Sequence, residues 1–324
     1  METSELAWRA LRPGDAPALT RLRAAVEAVD RTGEHFSEQD VRDELEDAST
    51  DLDRDTLGAV RADGEFVAYA WVSGSSAVVD VDRVLAIGAV LPVARGRGLG
   101  RRLLAWAEDR AATMHRERHP DVPGAVCVVV EDRNASHDAL VRAAGYEAAR
   151  WEYLMTRPLA DPLPGVPPAP AGLTLTRYVA ERDAAVRAAH RIAFSDHWGS
   201  TAPDDERWAR WFTGSRAFQP DVSWLALDGD AVAAFLLSYF WEADAVATGV
   251  REAFVGQLGV RPEWRRRGLG ALLLATALRS YRAAGYERSA LSVDTANATG
   301  ALGLYERAGY TVRDRYTTWA KPLA

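Results

Sequence analysis

The chain of 324 residues is long enough for two ordinary domains, and with 48% hydrophobic and 26% charged residues it has the composition of a soluble globular protein. The formal net charge of −7 argues against a nucleic-acid binder that relies on general electrostatics. No apolar run approaches the roughly 20 residues needed to span a bilayer, and the acidic start METSELAWRA lacks a signal-peptide core. We therefore expect a cytoplasmic protein with no nucleic-acid or membrane partner.

The first half alternates predicted helices and strands. A first strand is expected within residues 1–14, and a helix rich in Leu, Ala and Arg runs from Asp15 to about Asp30. Ser37 followed by Asp40 predicts a second helix start. The later pattern predicts strands at 56–60, 66–72 and 77–90, a helix at 98–116, a strand around Cys127, a short helix from Asn134 and a last strand through Trp151.

Cys127, the single cysteine, lies in the apolar run AVCVVV, which predicts a buried strand. A core thiol is favoured over a catalytic nucleophile, because thiolate chemistry needs an electropositive and accessible setting. An intramolecular disulfide is excluded.

Residues 161–172, DPLPGVPPAPAG, are predicted to be an extended, semi-rigid linker. Beyond it the order of elements repeats, and four positions recur at nearly constant separation: Asp15 as Asp183, Gly98 as Gly268, Gly145 as Gly309 and Pro158 as Pro322. This predicts tandem copies of one domain, at 1–160 and 173–324. Each is expected to be α/β, with a mixed, mostly antiparallel sheet flanked by helices, since the hairpin-like middle is antiparallel and the helix crossover joins parallel neighbours.

The most informative stretch is residues 260–270, VRPEWRRRGLG. A strand-like run leads into a basic loop punctuated by glycine, and leucines then recur at helical spacing. The free N–H groups and positive dipole end of a helix start favour a phosphate, and glycines let the backbone approach it closely. The same pattern occurs at 90–100, VLPVARGRGLG. The alternative, a solvated basic helix start, is disfavoured because cations there oppose the helix dipole unless an anion is bound.

The pattern R-x-x-G-x-G after a strand, followed by a helix, a strand and a segment N…LYE-x-x-GY, resembles the GNAT superfamily of acetyl-CoA-dependent N-acetyltransferases. In the second half the matching residues are Arg265, Gly268, Gly270, Asn297, Leu304, Tyr305, Glu306, Gly309 and Tyr310. In the first half they are Arg95, Gly98, Gly100, Asn134, Gly145 and Tyr146. Both segments occur twice at the correct separation, so the resemblance implies two tandem GNAT-type domains.

The resemblance also implies acetyl-CoA as cosubstrate, and it implies no metal. The backbone of 265–271 would cradle the coenzyme pyrophosphate, and the strand 258–260 would present amides to the pantetheine arm and thioester. Amides fixed beside a reacting carbonyl can stabilise an oxyanion. The implied cofactor-binding residues are Leu258, Gly259, Val260, Arg265, Arg266, Arg267, Gly268, Leu269, Gly270, Ala271 and Asn297, with Arg95, Gly98 and Gly100 in the first half.

Tyr305 is the predicted general acid, a role that the superfamily often gives to a tyrosine at this position. A phenol with a pKa near 10 can donate a proton to a thiolate leaving group with a pKa near 8.5. The alternative is a half-buried aromatic that packs its helix on the sheet. In the first half Val141 aligns with Tyr305, so we expect the first domain to be catalytically silent or purely structural.

The general base is left open. Many relatives carry a glutamate six residues before the position of Val260, where this chain has Phe254. Glu252 lies on the same strand face, because side chains alternate with period two, and it could act through a water. An exposed carboxylate at a strand end is the alternative.

The segment AFSDHWG, residues 193–199, falls where relatives build the acceptor-binding wall. Asp196 is a candidate partner for a cationic amine, His197 for proton relay and Trp198 for an apolar floor. The alternative is a helix end, with Asp196 capping, His197 solvated and Trp198 covering the core.

The leading hypothesis is transfer of acetyl from acetyl-CoA to the primary amine of a small molecule by direct attack in a ternary complex, with the second domain active. A covalent acetyl-enzyme is disfavoured without a suitable cysteine. Within the superfamily the tandem layout resembles the mycothiol synthases, although Phe254 departs from the pattern. A different class of function is an acyl-CoA-binding regulatory protein without turnover. The acceptor, the oligomeric state and the packing of the halves stay open.

Overall fold

A computed structural model describes residues 6–75, 77–78, 80–195, 203, 205–296 and 300–323. The chain forms two compact units. Unit 1 comprises Met1–Arg150 with Tyr316–Ala324, and unit 2 comprises Trp151–Arg315.

The strands of the described residues are β1 (Ala7–Arg9), β2 (Thr56–Val60), β3 (Phe66–Ser73), β4 (Asp82–Val90), β5 (Gly124–Glu131), β6 (Glu147–Pro158), β7 (Leu173–Arg177), β8 (Trp224–Asp228), β9 (Ala231–Tyr239), β10 (Glu252–Val260), β11 (Arg288–Asp294) and β12 (Thr311–Pro322). The helices are α1 (Ala16–Asp30), α2 (Glu38–Leu45), α3 (Leu52–Asp55), α4 (Leu99–Arg118), α5 (Ala135–Ala143), α6 (Asp183–Ala193), α7 (Asp205–Trp211), α8 (Glu242–Thr248), α9 (Leu269–Ala283) and α10 (Ala301–Arg307).

Most of the predicted elements are present. Ser37 caps α2: its side chain accepts from the Asp40 N–H at 3.2 Å, and the Asp40 carboxylate accepts from the Ser37 N–H at 2.8 Å. The strand predicted from residue 77 begins only at Asp82. Cys127 is buried in β5, and burial raises the pKa of its thiol to about 11, which confirms a core thiol.

Each unit has a mixed, mostly antiparallel sheet, as predicted. In unit 1 the order is β1-β2-β3-β4-β5-β12, and in unit 2 it is β6-β11-β10-β9-β8-β7. Among the registered pairs, β4 with β5 and β10 with β11 are parallel, and the others are antiparallel. In each unit a helix, α4 or α9, makes the crossover between the parallel strands.

The last strand of each sheet comes from the opposite half of the chain. Residues 316–322 of β12 pair with β5, and residues 152–158 of β6 pair with β11. The compact units therefore differ from the predicted boundaries at 160 and 173. The repeat could not reveal this exchange, because both last strands occupy the same place in their copies, and the sequence pattern does not say which sheet each strand joins. The linker residues 161–170 contain no helix or strand.

The core of unit 2 packs α9 against the sheet. Leu272, Leu273, Leu278 and Tyr281 are at most 3% exposed and lie in one cluster with Leu236 of β9. This packing places the start of α9 beside the end of β10. No helix in the described part of the chain is long and apolar enough to cross a membrane.

Candidate active site

In unit 2, β10 separates from its parallel neighbour β11 partway along its length. The parallel register ends at the pair Val255–Leu291, although β10 continues to Val260 beside β9. The register on β9 shifts at Gly256, which marks a β-bulge. Within the described residues no strand pairs with β10 beyond the bulge on its β11 side. We call residues 256–260 of β10 the open edge, because its backbone N–H and C=O groups are available to an extended ligand.

A tight loop joins the open edge to α9. After the short 3₁₀ turn Pro262–Trp264, two residues take left-handed backbone conformations, Arg266 at φ 61° and Gly268 at φ 82°. Gly268 is the N-cap of α9, so the first N–H groups of the helix have no partners within it. A Cβ on Gly270 would lie 3.2 Å from Leu304 of α10. The loop thus has the backbone form of an anion-binding helix start.

Arg265 holds this loop from within the protein. Its Nε donates to the Val260 carbonyl at 3.3 Å and its Nη2 to the Ala193 carbonyl at 3.0 Å, so the guanidinium links the end of β10 to the end of α6. Arg266 and Arg267 are exposed. Of the three arginines, these two are therefore placed to meet a phosphate directly, while Arg265 supports the loop.

Tyr305 lies on α10 and is 7% exposed. Burial raises the pKa of its phenol to about 12. No described residue forms a hydrogen bond with its hydroxyl, whereas the neighbouring hydroxyl of Tyr310 is 2.7 Å from Ser289 Oγ. A buried phenol that stays protonated and has no such partner is suited to donate to a ligand.

Val141 occupies the corresponding position in unit 1. The Tyr146 N–H donates to the Val141 carbonyl at 3.1 Å, just as the Tyr310 N–H donates to the Tyr305 carbonyl at 3.1 Å. The C-terminal ends of α5 and α10 therefore have the same backbone hydrogen bond. Unit 1 has an aliphatic side chain, 0% exposed, where unit 2 has the phenol.

Glu252, the candidate base, is the first residue of β10 and lies away from the open edge. Its carboxylate forms ion pairs with Arg288 Nε and, at 3.8 Å, with Arg313 Nη1. The carboxylate of Glu252 is thus held by two guanidinium groups. This geometry favours a structural role for Glu252 over proton abstraction.

Three aromatic side chains lie beside the open edge, on the face of the unit 2 sheet that packs against α6. The Tyr239 ring covers Gly256, where an added Cβ would lie 2.4 Å from the ring. Trp241 stacks on Tyr239 at 6.1 Å between ring centroids and meets Phe254 edge to face at 5.3 Å. Trp241 is 39% exposed, so this group reaches solvent. We call Tyr239, Trp241 and Phe254 the aromatic wall.

A polar pair lies close by. His190 Nε2 of α6 is 3.2 Å from Gln257 Oε1 on the open edge. An amide oxygen can only accept, so Nε2 carries the hydrogen. His190 packs against the rings of Phe194 and Trp208 at 4.6 and 5.3 Å. Sequence reasoning missed this pair, although a glutamine within an apolar strand was a usable signal.

Four predicted site residues lie outside the described part of the chain: Asp196, His197, Trp198 and Asn297. The other predicted cofactor-binding residues of unit 2 do come together. Leu258, Gly259 and Val260 form the end of the open edge, and Leu269, Gly270 and Ala271 form the first turn of α9.

Unit 1 repeats the separation of its parallel strands and contains a cavity beside it. The register of β4 with β5 ends at Leu85–Cys127. The cavity, about 470 Å³, is lined by the rest of β4, by the loop with Gly98 and Gly100, and by the start of α5. His137 also lines it, and burial lowers the pKa of this imidazole.

Three residues that line this cavity are bound to one another. Asp30, at the end of α1, accepts from Arg95 Nη1 and Nη2 at 2.7 and 2.8 Å and from Asn134 Nδ2 at 3.2 Å. Arg95 also donates to the Val90 carbonyl at 3.1 Å. The arginine of this loop is thus paired with a carboxylate.

The fold and the site define an acetyltransferase of the GNAT class. The family model described as the Acetyltransferase (GNAT) family matches residues 22–126 and 184–310, one copy in each half, so the chain belongs to this acetyl-CoA-dependent N-acetyltransferase family. The predicted tandem architecture is confirmed.

Relatives and solved structures agree. The chain is 32% identical to a mycothiol acetyltransferase of Tsukamurella paurometabola, over 71% of this chain and 76% of that protein. It is 33% identical to a mycothiol acetyltransferase of Thermobispora bispora, over 68% and 70%. A GCN5-related N-acetyltransferase from Sphaerobacter thermophilus superposes with a TM-score of 0.76 at 29% identity, over 98% of this chain and 96% of that one. A tandem GNAT protein of the clavulanic acid pathway, at 19% identity and TM-score 0.72, shares the fold.

The residues present fit acetyl-CoA. The open edge leaves backbone groups for a pantetheine arm, the left-handed Gly268 removes side-chain bulk from the loop, and Arg266 and Arg267 supply exposed positive charge. Within the ranges that the structure describes, no group of three His, Cys, Asp or Glu side chains could hold a metal ion.

Proposed function

We propose that the chain transfers the acetyl group to the primary amine of a small molecule, by direct attack in a ternary complex, and that unit 2 is the working unit. The observation that carries this proposal is Tyr305, which is 7% exposed, lies in the core cluster against which Leu258 and Val260 of the open edge pack, and has a hydroxyl that no described residue binds. Unit 1 has the same backbone arrangement but carries Val141 at that position.

Bound acetyl-CoA supplies an activated thioester, and the chain's own residues position it and manage one proton. The open edge binds the pantetheine arm through backbone groups, while the α9 start with Arg266 and Arg267 binds the pyrophosphate. Tyr305 donates its proton to the departing sulfur. Its phenol, with a pKa of about 12, stays protonated at neutral pH.

We leave Glu252 out of the proton path because of its two ion pairs. The attacking amine enters in its neutral form beside the open edge, and the proton that its nitrogen loses when the amide forms returns through solvent to the Tyr305 phenolate, which restores the acid. Cys127 is 4% exposed and its thiol stays protonated, since burial raises its pKa to about 11, so no residue on this path forms an acetyl-enzyme.

The acceptor binds, in this proposal, against the aromatic wall and Gln257. A stacked pair of rings, Tyr239 and Trp241, offers a flat apolar surface, and the amide of Gln257 is held in place by His190. Such a surface suits a ring that has an apolar face and a polar rim, such as a sugar. The mycothiol acetyltransferase relatives support one specific acceptor, the cysteinyl amine of the pseudodisaccharide mycothiol precursor. Phe254 argues against this particular acceptor, because many relatives have a glutamate at that position.

We further propose that unit 1 binds coenzyme A without turning it over. The cavity of about 470 Å³ and the left-handed Gly98 support binding, and Val141 argues against chemistry. If neither unit turns over, the protein is an acyl-CoA-binding regulator. Calorimetry with coenzyme A tests binding by unit 1: two sites, one of them dispensable for turnover, support a regulatory unit 1, and a single site makes unit 1 a scaffold. The turnover assay below separates an enzyme from a regulator.

The deciding experiment incubates the protein with labelled acetyl-CoA and a panel of amines that includes the mycothiol precursor. Tyr305→Phe should lower kcat by about 100-fold, the usual contribution of a general acid. Tyr310→Phe is the matched control, because it removes a buried hydroxyl bound only to Ser289 in the same core. Full activity of Tyr305→Phe, or no acetylated amine in the panel, would overturn the proposal.

A further inference from the structure

Arg157 is a buried cation in unit 2, on the strand β6 that the first half of the chain contributes. Its residue is 2% exposed. Among the described residues no carboxylate lies within salt-bridge distance, and burial lowers the pKa of its guanidinium. A buried charge without a paired anion is costly, and such groups persist where their hydrogen bonds serve a purpose.

The partners of Arg157 are backbone carbonyls. Nη1 donates to the Ala308 carbonyl, Nε to the Pro158 carbonyl at 3.3 Å and Nη2 to the Pro162 carbonyl at 3.3 Å. Ala308 is the C-cap of α10. The side chain therefore ties the end of α10 to β6 and to the start of the linker.

The helix that it ties down carries Tyr305. A helix of seven residues, Ala301–Arg307, is too short to be stable without outside support. Its end is closed by Gly309, at φ 85°, where an added Cβ would lie 3.2 Å from Arg157 Nη1. Tyr305 lies in the last turn, one turn before the carbonyl that Arg157 holds.

Unit 1 offers an internal comparison. Lys321 stands at the same place on β12, directly before a proline, as Arg157 does on β6. Lys321 Nζ bonds Glu108 on α4 at 2.8 Å and lies 5.7 Å from the Tyr146 ring. It does not cap α5, the helix with Val141. The cap and the tyrosine are present together in unit 2 and absent together in unit 1.

We infer that Arg157 is a positioning residue, which fixes the Tyr305 hydroxyl at the reacting sulfur by capping α10 from a strand of the other half. The inference rests on the proposed role of Tyr305 as acid. A displacement of about 1 Å at a reacting group can cost about 100-fold in rate, so removing the cap should lower kcat and leave the Michaelis constant for acetyl-CoA nearly unchanged.

The test is a double-mutant cycle between Arg157→Met and Tyr305→Phe in the full chain. We expect Arg157→Met to lower kcat about 10- to 100-fold in the parent and to have no further effect once Tyr305 is Phe, because the residue then has no hydroxyl to position. Equal losses in both backgrounds, or no loss in the parent, would overturn the inference. Full activity of Tyr305→Phe alone would instead overturn the proposed acid role.

Two further variants keep the test decisive. Arg157→Lys retains the charge and one donor, and should recover part of kcat if capping is the function. Lys321→Met, the matched change in unit 1, should leave kcat unchanged.

Discussion

The ring of Tyr239 lies directly over Gly256, so close that a methyl group on this glycine would lie 2.4 Å from a ring carbon. Gly256 is also the bulge at which β10 leaves β11. One glycine thus opens the strand edge and makes room for a ring of the aromatic wall.

Gly256→Ala should push the Tyr239 ring aside, at a cost of about 1–3 kcal/mol in the free energy of unfolding. We expect the Michaelis constant for the acceptor to rise, because the aromatic wall is displaced, while that for acetyl-CoA changes less. Denaturant titration and steady-state kinetics measure both. Gly14→Ala is the control, since no atom lies within 4 Å of the added Cβ.

Alkaline stability should report on Tyr305. Folding raises the pKa of this phenol from 10.0 to about 12, so its protonated form is favoured in the folded state. That contribution is complete below pH 10 and is lost as pH rises from about 10 to about 12, by about 1.4 kcal/mol per pH unit. The unfolding free energy of Tyr305→Phe should therefore fall less steeply in this window than that of the parent. Identical slopes would show that the phenol is not desolvated.

Arg266→Gly should separate stability from binding. The left-handed backbone of Arg266 costs about 1 kcal/mol in a residue with a Cβ, and the equivalent position in unit 1 is Gly96 at φ 74°. The variant should be more stable by about that amount, yet bind acetyl-CoA more weakly because an exposed cation is lost. Thermal unfolding and calorimetry give the two quantities. Arg266→Lys keeps the strain and the charge and should change neither.

The exchanged strands predict where core mutations act. Trp319, 4% exposed, packs in the core of unit 1, and Met155, 1% exposed, in that of unit 2. Trp319→Ala should destabilise unit 1 by about 3–5 kcal/mol and Met155→Ala unit 2 by about 2–5 kcal/mol. Hydrogen exchange should accelerate in β5 for the first variant and in β11 for the second. The reverse assignment would contradict the strand pairing.

The features that could be predicted from the sequence are those that depend on hydrophobic periodicity and on the backbone conformations that glycine allows. The loop after β10, the helix start at Gly268 and the alignment of Val141 with Tyr305 all follow from local pattern, and the structure agrees with each. The sequence did not predict that Arg265 supports the loop from inside the protein. Its guanidinium donates to the Ala193 carbonyl, at the end of a helix that is distant in sequence. Arg157 and Lys321 share one place in the repeat, but only their three-dimensional surroundings reveal different partners.

The strand exchange also orders the steps of biosynthesis. Unit 2 is continuous along the chain, whereas unit 1 needs residues 316–322 to cover β5. During translation the first half therefore emerges early but waits for its final strand until all of unit 2 has been made. In that interval the valine-rich edge of β5 has open backbone groups, the kind of edge that promotes aggregation. The half that is synthesised second is thus the first that can finish folding.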